Sequence, residues 1–272
     1  MTPRPVRVLT ALLIATAVAT VVVESLVFWY TPDHGVGFVV RTVWALVRTL
    51  GWLILIAQVR RGRATAKPLS LILAMTTLFA VGRLIVPPSG RPPLPGLIGF
   101  GLLAALCLTV VVVLHRHPAV DAHLAHQPRR PVLTREGVSL REAPPGDPWV
   151  LTARLASFSY SPLMLVPAVT AVGVLRHRPE WSLAVIFWVL SGIGVSYVAL
   201  LSAFFLARGS HRARTALTWV TLMVLAFDLP LCRILLGTDG LLRDGAPLVA
   251  AAALTLYALH RIAPAPTPAP AT

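Results

Sequence analysis

Charge is scarce in this sequence. Only 12% of the 272 residues are Asp, Glu, Lys or Arg, about half of what a soluble domain of this size carries. An ordinary water-soluble fold is thereby excluded for most of the chain. Carboxylates are the rarer sign, with 10 against 24 basic residues, and Lys67 is the one lysine. There are two cysteines, Cys107 and Cys232, both inside apolar runs and outside any metal-ligand spacing. They fall at different depths of their helices, so both are expected to stay free and no metal is expected. The chain has no P-loop, dinucleotide-binding glycine motif, HExxH or GxSxG. No cofactor follows from it.

What remains is apolar. The mean hydropathy is +0.77, and eight apolar segments can be marked. They run over Val8–Phe28, Val36–Val59, Pro68–Val86, Leu94–Leu114, Leu155–Leu175, Ser182–Leu206, Ala216–Leu236 and Ala246–Leu259. A helix needs about 20 residues to cross a bilayer. Seven segments meet that, and the eighth needs Ile262 and Ala263 as well, or a thin local bilayer, to cross. Arg4 and Arg7 before an apolar run resemble the start of a signal peptide. The run continues to Phe28-Trp29-Tyr30, an interfacial aromatic belt, so it is read as a span. The expected fold is therefore all-α, a polytopic membrane protein of about eight transmembrane helices.

The basic residues mark orientation rather than nucleic acid, which is not an expected partner. With a cytoplasmic N-terminus, 16 of them fall on inner segments and 4 on outer loops (Arg91, Arg176, Arg178 and Arg243). That asymmetry places both termini in the cytoplasm. Arginine bias with abundant Ala, Pro, Gly and Val suggests a bacterial plasma-membrane protein.

The two halves share features at a fixed offset. Arg61-Gly62 corresponds to Arg208-Gly209, 147 residues on, and the same offset pairs Arg7 with Arg154 and Lys67 with Arg214. Leu114-His115-Arg116 and Leu259-His260-Arg261 close the two halves. Four spans per half give both the same direction, so two parallel four-helix repeats are expected. The units are residues 1–114, a cytoplasmic loop 115–154, residues 155–262, and a disordered Pro/Ala tail 263–272. The loop is too short for a core. Thr134–Arg141 alternates and reads as a small hairpin or a headgroup-contacting stretch. His115, His117, His123 and His126 crowd its start, and Pro118 interrupts them, so they read as solvated and not as a metal site.

Six ionisable residues fall inside the spans: Glu24, Arg41, Arg48, Arg83, Asp228 and Arg233. Charges in a bilayer are costly and mark functional sites by default. Five lie in the outer half of their spans and Arg48 borders it. Four arginines against two carboxylates suit a cavity for a small anionic ligand, ion or lipid headgroup. The plainer expectation is that Arg41, Arg83 and Arg233 snorkel to headgroups, while Glu24 and Asp228 each pair with an arginine. Arg41, Trp44 and Arg48 share one helix face, which should meet protein or water. Asp228 precedes Pro230, which should kink its helix. Pro162 and Pro167 should bend the fifth span, and Gly192, Gly194, Ser196 and the Gly101/Ala105 pair should allow close helix approach.

Three functions compete. A transporter or permease-like protein matches repeated halves, kinked spans and buried charge. An integral-membrane enzyme would act on a lipid or isoprenoid with Glu24 or Asp228 as acid or base. A non-catalytic membrane subunit would assist, protect or anchor a partner membrane subunit.

Overall fold

In a computed structural model the described residues are 4–29, 35–85, 94–124, 129–134, 137–142 and 147–262. Tyr30, Arg91, His126, Arg135 and the tail 263–272 lie outside them. Ten α-helices follow one another along the described chain: α1 Arg4–Trp29, α2 Val36–Arg60, α3 Ala66–Val81, α4 Leu94–Arg116, α5 Pro118–Leu124, α6 Pro148–Phe158, α7 Tyr160–Ala171, α8 Ser182–Leu206, α9 His211–Gly240 and α10 Ala246–Arg261. Six helical stretches are long and apolar enough to cross a membrane. The protein is a polytopic helical membrane protein by that measure.

Four expected spans take a different form. The third is short, since α3 has 16 residues and passes into a 3-10 turn over Gly82–Leu84. A helix this short tolerates lipid poorly, but α3 packs against α1, α2, α4, α6 and α10 and so meets protein on most sides. Its buried side chains include Ser70, Thr76 and Thr77. The fifth span is broken at Ser159, between α6 and α7. Pro162 explains the break: it offers no N–H to the carbonyl of Phe158, and its ring crowds that turn. Helix α6 itself starts at Pro148, capped by the Asp147 side chain, which accepts a bond from the Trp149 amide at 2.8 Å.

The last two spans form one helical stretch of 51 residues, His211–Arg261, that doubles back. The start of α9 and the end of α10 meet in one apolar cluster with Leu217 and Leu259. Arg214 Nη1 donates to the carbonyl of Ile262 at 3.3 Å across that end. The helix runs through Pro230, and the reversal falls at Gly237, with φ 72° and ψ −166°. A π-helical turn, Leu241–Gly245, then leads into α10. The last apolar helix therefore continues from helical residues before Ala246, and it ends at Arg261. Only glycine occupies the Gly237 conformation without strain. Gly237→Ala should cost about 1–3 kcal/mol in detergent unfolding. The space around its missing Cβ is open, so the loss comes from the backbone alone.

Both halves show the same order of neighbours. In the first, α1 lies between α2 and α4, and α3 touches α2 and α4; in the second, α6–α7 contacts α8 and α10, and α9 touches α8 and α10. The turns at the ends of α2 and α8 also match. Gly62 (φ 66°) and Gly209 (φ 75°) are left-handed. Gly62 donates to Val59 O and Arg63 to Gln58 O, while Gly209 donates to Leu206 O and Ser210 to Phe205 O. Each pair of bonds is a Schellman cap, and the two are 147 residues apart.

The end of the bundle where α1 starts and α2 finishes collects Arg4, Arg7, Arg60, Arg61, Arg208, Arg212 and Arg261, and forms its basic end. The loop after α4 is more ordered there than its composition suggests. α5 buries Val120 and Leu124, Lys67 pairs with Asp121 at 2.6 Å, and His123 Nε2 meets Val59 O at 3.0 Å. Among the described residues no group of three or more His, Cys, Asp or Glu could hold a metal. A two-stranded antiparallel hairpin, β1 Arg129–Thr134 and β2 Gly137–Glu142, is the exception to an all-α fold. Of the small residues, Gly192 sits hard against Leu165, whereas Gly101 and Gly194 face open space and form no close helix contact.

A candidate anion-binding cavity

A cavity of about 540 Å³ opens toward the end of the bundle opposite the basic end, enclosed by α1, α2, α3, α7 and the start of α10. Its size lies within the range of small-molecule sites, roughly 300–1,000 Å³. Its charged residues come from three separate stretches of chain. The buried stripe of α1 runs Leu9, Leu13, Thr16, Thr20, and Glu24 is the next residue at helical spacing. The buried stripe of α2 runs Arg48, Trp52, Leu55, Val59. Arg41 lies two turns above Arg48 on that face. Arg243 and Asp244 belong to the π-helical turn after Gly237.

Glu24 and Arg48 form an ion pair across α1 and α2 through Oε1 and Nη2. Arg48 is only 3% exposed, and among the described residues its Nε and Nη1 have no hydrogen-bond partner. Buried guanidinium nitrogens without partners are uncommon, because desolvating a donor without pairing it costs about 1–3 kcal/mol or more. The guanidinium also lies 5.4 Å from the Trp44 ring centroid, a cation–π distance. Trp44 lines the cavity with the two arginines.

Arg41 is held from the other half of the chain, its Nη2 3.4 Å from Asp244 Oδ2. Arg243 Nη2 also binds Asp244, at 3.1 Å, and Arg243 reaches Asp239 at 3.6 Å. The lining therefore carries Arg41, Arg48 and Arg243 against Glu24 and Asp244, one positive charge in excess. Below Arg48 the cavity is closed. Trp52, fully buried one turn further along α2, donates to Thr77 Oγ1 at 3.2 Å and joins α2 to α3.

The other membrane charges lie elsewhere. Asp228 is fully buried between α8 and α9, accepting from Trp188 Nε1 at 2.7 Å and lying 3.5 Å from Cys232 Sγ. The expected arginine partner is replaced by an indole, because α8, the helix facing Asp228, carries no basic residue. The carboxylate depends on that indole. Trp188→Phe should lower unfolding stability by about 1–3 kcal/mol, and a change below about 0.5 kcal/mol would show that the bond contributes little. Arg233 is exposed and hydrogen-bonds Thr238 within its own helix, in line with a surface role. The side chain of Arg83 lies outside the described residues. Cys107 and Cys232 are buried and free.

Asp244 and Arg243 do not stand out in the sequence as site residues. Their near neighbours Gly237, Asp239 and Gly240 read as a polar outer loop, and only the helical reversal shows that Asp244 turns inward. A signal exists in the shortness of the last apolar run, which needs residues before Ala246 to complete a crossing.

Fold and cavity together define a class: a multi-pass helical membrane protein with a cationic cavity at one end of its bundle. Comparison with protein-family models, with curated proteins and with solved structures gave no match.

Proposed function

We propose that this chain is a permease-like protein of the bacterial plasma membrane that takes a small anionic ligand or ion into the α1–α2–α7 cavity. One observation carries this reading. Arg48 is buried in the cavity wall with two guanidinium donors that no group among the described residues engages. A carboxylate or phosphate oxygen satisfies such donors in the fork geometry that arginine offers. In this reading the chain crosses eight times as two parallel four-helix repeats, with both termini cytoplasmic. The matched caps at Gly62 and Gly209 and the shared neighbour order support the repeat. The basic end then faces the cytoplasm and the cavity lies in the outer half of the bilayer.

Ligand binding is the first step of transport here, and Trp52 with Thr77 forms the barrier beneath it. Asp244, on a π-helical turn beside a glycine hinge, links Arg41 to the second half. Occupation of the cavity by an anion competes with Glu24 and Asp244 for the arginines, which is a means of coupling binding to movement of the two halves. The two-carboxylate enzyme reading has less support, since Asp228 does not line the cavity that holds Glu24.

Reconstituted vesicles test the proposal. Wild-type protein should take up at least one member of a panel of labelled monocarboxylates and monophosphates. Glu24→Gln/Arg48→Met, which removes both buried charges, should reduce that uptake to the level of empty vesicles. Uptake of none of the panel by the wild type, or equal uptake by the double variant, would count against it.

A further inference from the structure

The cavity does not open only along the bundle axis. Val21 and Ser25 of α1, and Thr42 and Leu46 of α2, line it and are at the same time exposed on the outer surface of the bundle. In a membrane that surface faces lipid. The cavity therefore continues sideways through the seam between α1 and α2. At the loop end of the seam Phe28 and Phe38 close it, with ring centroids 4.9 Å apart. Trp29, 81% exposed, stands next to them. The opening that remains below the aromatic pair is bordered on the lipid side by two apolar side chains, Val21 and Leu46, and two hydroxyl side chains, Ser25 and Thr42, and on the inner side by Glu24, Arg41 and Arg48. A water-soluble anion has no use for a lipid-facing side opening, which would admit acyl chains as competitors.

We propose that the ligand is an acidic lipid. Its monoanionic phosphate headgroup sits at the Arg41–Arg48 tier, and its hydrocarbon chain leaves through the α1–α2 seam into the bilayer. This rests on the anion-binding reading of the same cavity and adds the ligand class to it. The chemistry is complementary at each level. On the lining Arg41, Arg48 and Arg243 stand against Glu24 and Asp244, with Arg243 shared with Asp239 outside it, so the guanidinium of Arg48 is the group left to meet a phosphate. The spare Nε and Nη1 of Arg48 take the phosphate oxygens. Arg41, seven residues nearer the mouth, stands roughly 10 Å higher along the helix axis and gives the headgroup an intermediate station. Leu46 and Val21 contact the chain. A buried charge deep in a seam open to hydrocarbon is otherwise costly, and a lipid anion offsets that cost only where it can enter from the side.

The test uses the detergent-purified full chain and isothermal titration with three probes: dioctanoyl phosphatidylglycerol, glycerol 3-phosphate, and dioctanoyl phosphatidylcholine. The first should bind at least about tenfold more tightly than either of the others, because it alone combines chain burial with an unbalanced anion. Ser25→Phe, which narrows the seam from its lipid side, should cut the advantage of phosphatidylglycerol over glycerol 3-phosphate to below about threefold. Glu24→Gln/Arg48→Met should bind both anions at least about 30-fold more weakly than the wild type, and its elution as a single symmetric peak checks its folding. Equal affinity for glycerol 3-phosphate and phosphatidylglycerol, with no effect of Ser25→Phe on their ratio, overturns the lipid assignment and leaves the anion cavity standing. Equal affinity for phosphatidylcholine overturns selection by charge, and with it the lipid assignment. Anion binding that is absent in the wild type, or unchanged in the double variant, overturns both readings.

Discussion

Glu24→Gln should destabilise the protein by about 3 kcal/mol, the low end of what breaking one partner of a buried ion pair costs. The low end applies because the Glu24 carboxylate keeps some exposure, 16%, while Arg48 keeps 3%. The loss is one-sided. Glutamine leaves the Arg48 cation in place, with Nε and Nη1 already without partners, and removes the one carboxylate bonded to it. The double variant Glu24→Gln/Arg48→Met removes the stranded charge as well, so it should recover most of the stability. An isosteric apolar replacement of a buried pair is often neutral. Unfolding midpoints in detergent check this. If the double variant is as unstable as the single one, the pair is not what holds α1 to α2 at this level.

Arg48→Met should weaken binding of a monophosphate such as glycerol 3-phosphate by roughly 30- to 100-fold, or about 2–3 kcal/mol, the worth of the charge-assisted bonds it removes. Arg48→Lys keeps the charge but not the planar fork, so it should fall between the wild type and Arg48→Met. Arg41→Ala should cost less than about tenfold, because Arg41 is a quarter exposed and already engaged by Asp244. Titration calorimetry on the three variants gives the order. If Arg48→Lys is as weak as Arg48→Met, geometry outweighs charge. A larger loss in Arg41→Ala than in Arg48→Met would move the centre of the site toward the mouth. The Arg48→Met protein is expected to be at least as stable as Glu24→Gln, since a partly exposed carboxylate is left behind instead of a buried cation. Loss of binding can therefore be separated from loss of fold.

Much of the fold is legible in residue order. The apolar runs locate the helices, and the Arg-Gly dipeptides mark two helix ends whose glycines both adopt left-handed conformations. The alternating stretch Thr134–Arg141, which fits a hairpin or a headgroup contact, overlaps β2 and the last residue of β1, and the rest of β1 precedes it. Sequence and structure part where local rules compete. Pro230 is expected to kink the seventh span; the helix continues through it, and the reversal comes at Gly237, which no local signal singled out. A proline removes one hydrogen bond, which neighbours in a bundle can compensate. A glycine with positive φ turns the chain outright. Pro162 does break its helix, and at the break the Ser159 amide and hydroxyl both turn back to Ala156 O, at 3.2 and 2.6 Å. The Gly101/Ala105 pair suggests close packing, but Gly101 lies on a face turned outward.

The sequence by itself determined the class of this protein. Long uncharged runs cannot be hydrated, so burial in lipid as helices follows from composition and period alone. It also singled out Glu24, Arg41 and Arg48, because a charge in such a run is conspicuous wherever the helix packs. Which charges meet was decided by tertiary structure. The Glu24–Arg48 pair, the Arg41–Asp244 contact and the separate Asp228–Trp188 pair depend on helix rotation and neighbour order. Those are set by the packing of many side chains, and no single residue or spacing encodes them. Asp244 shows this most plainly: it reads as a loop acid in the sequence, and it becomes a cavity wall only because the chain folds back at Gly237.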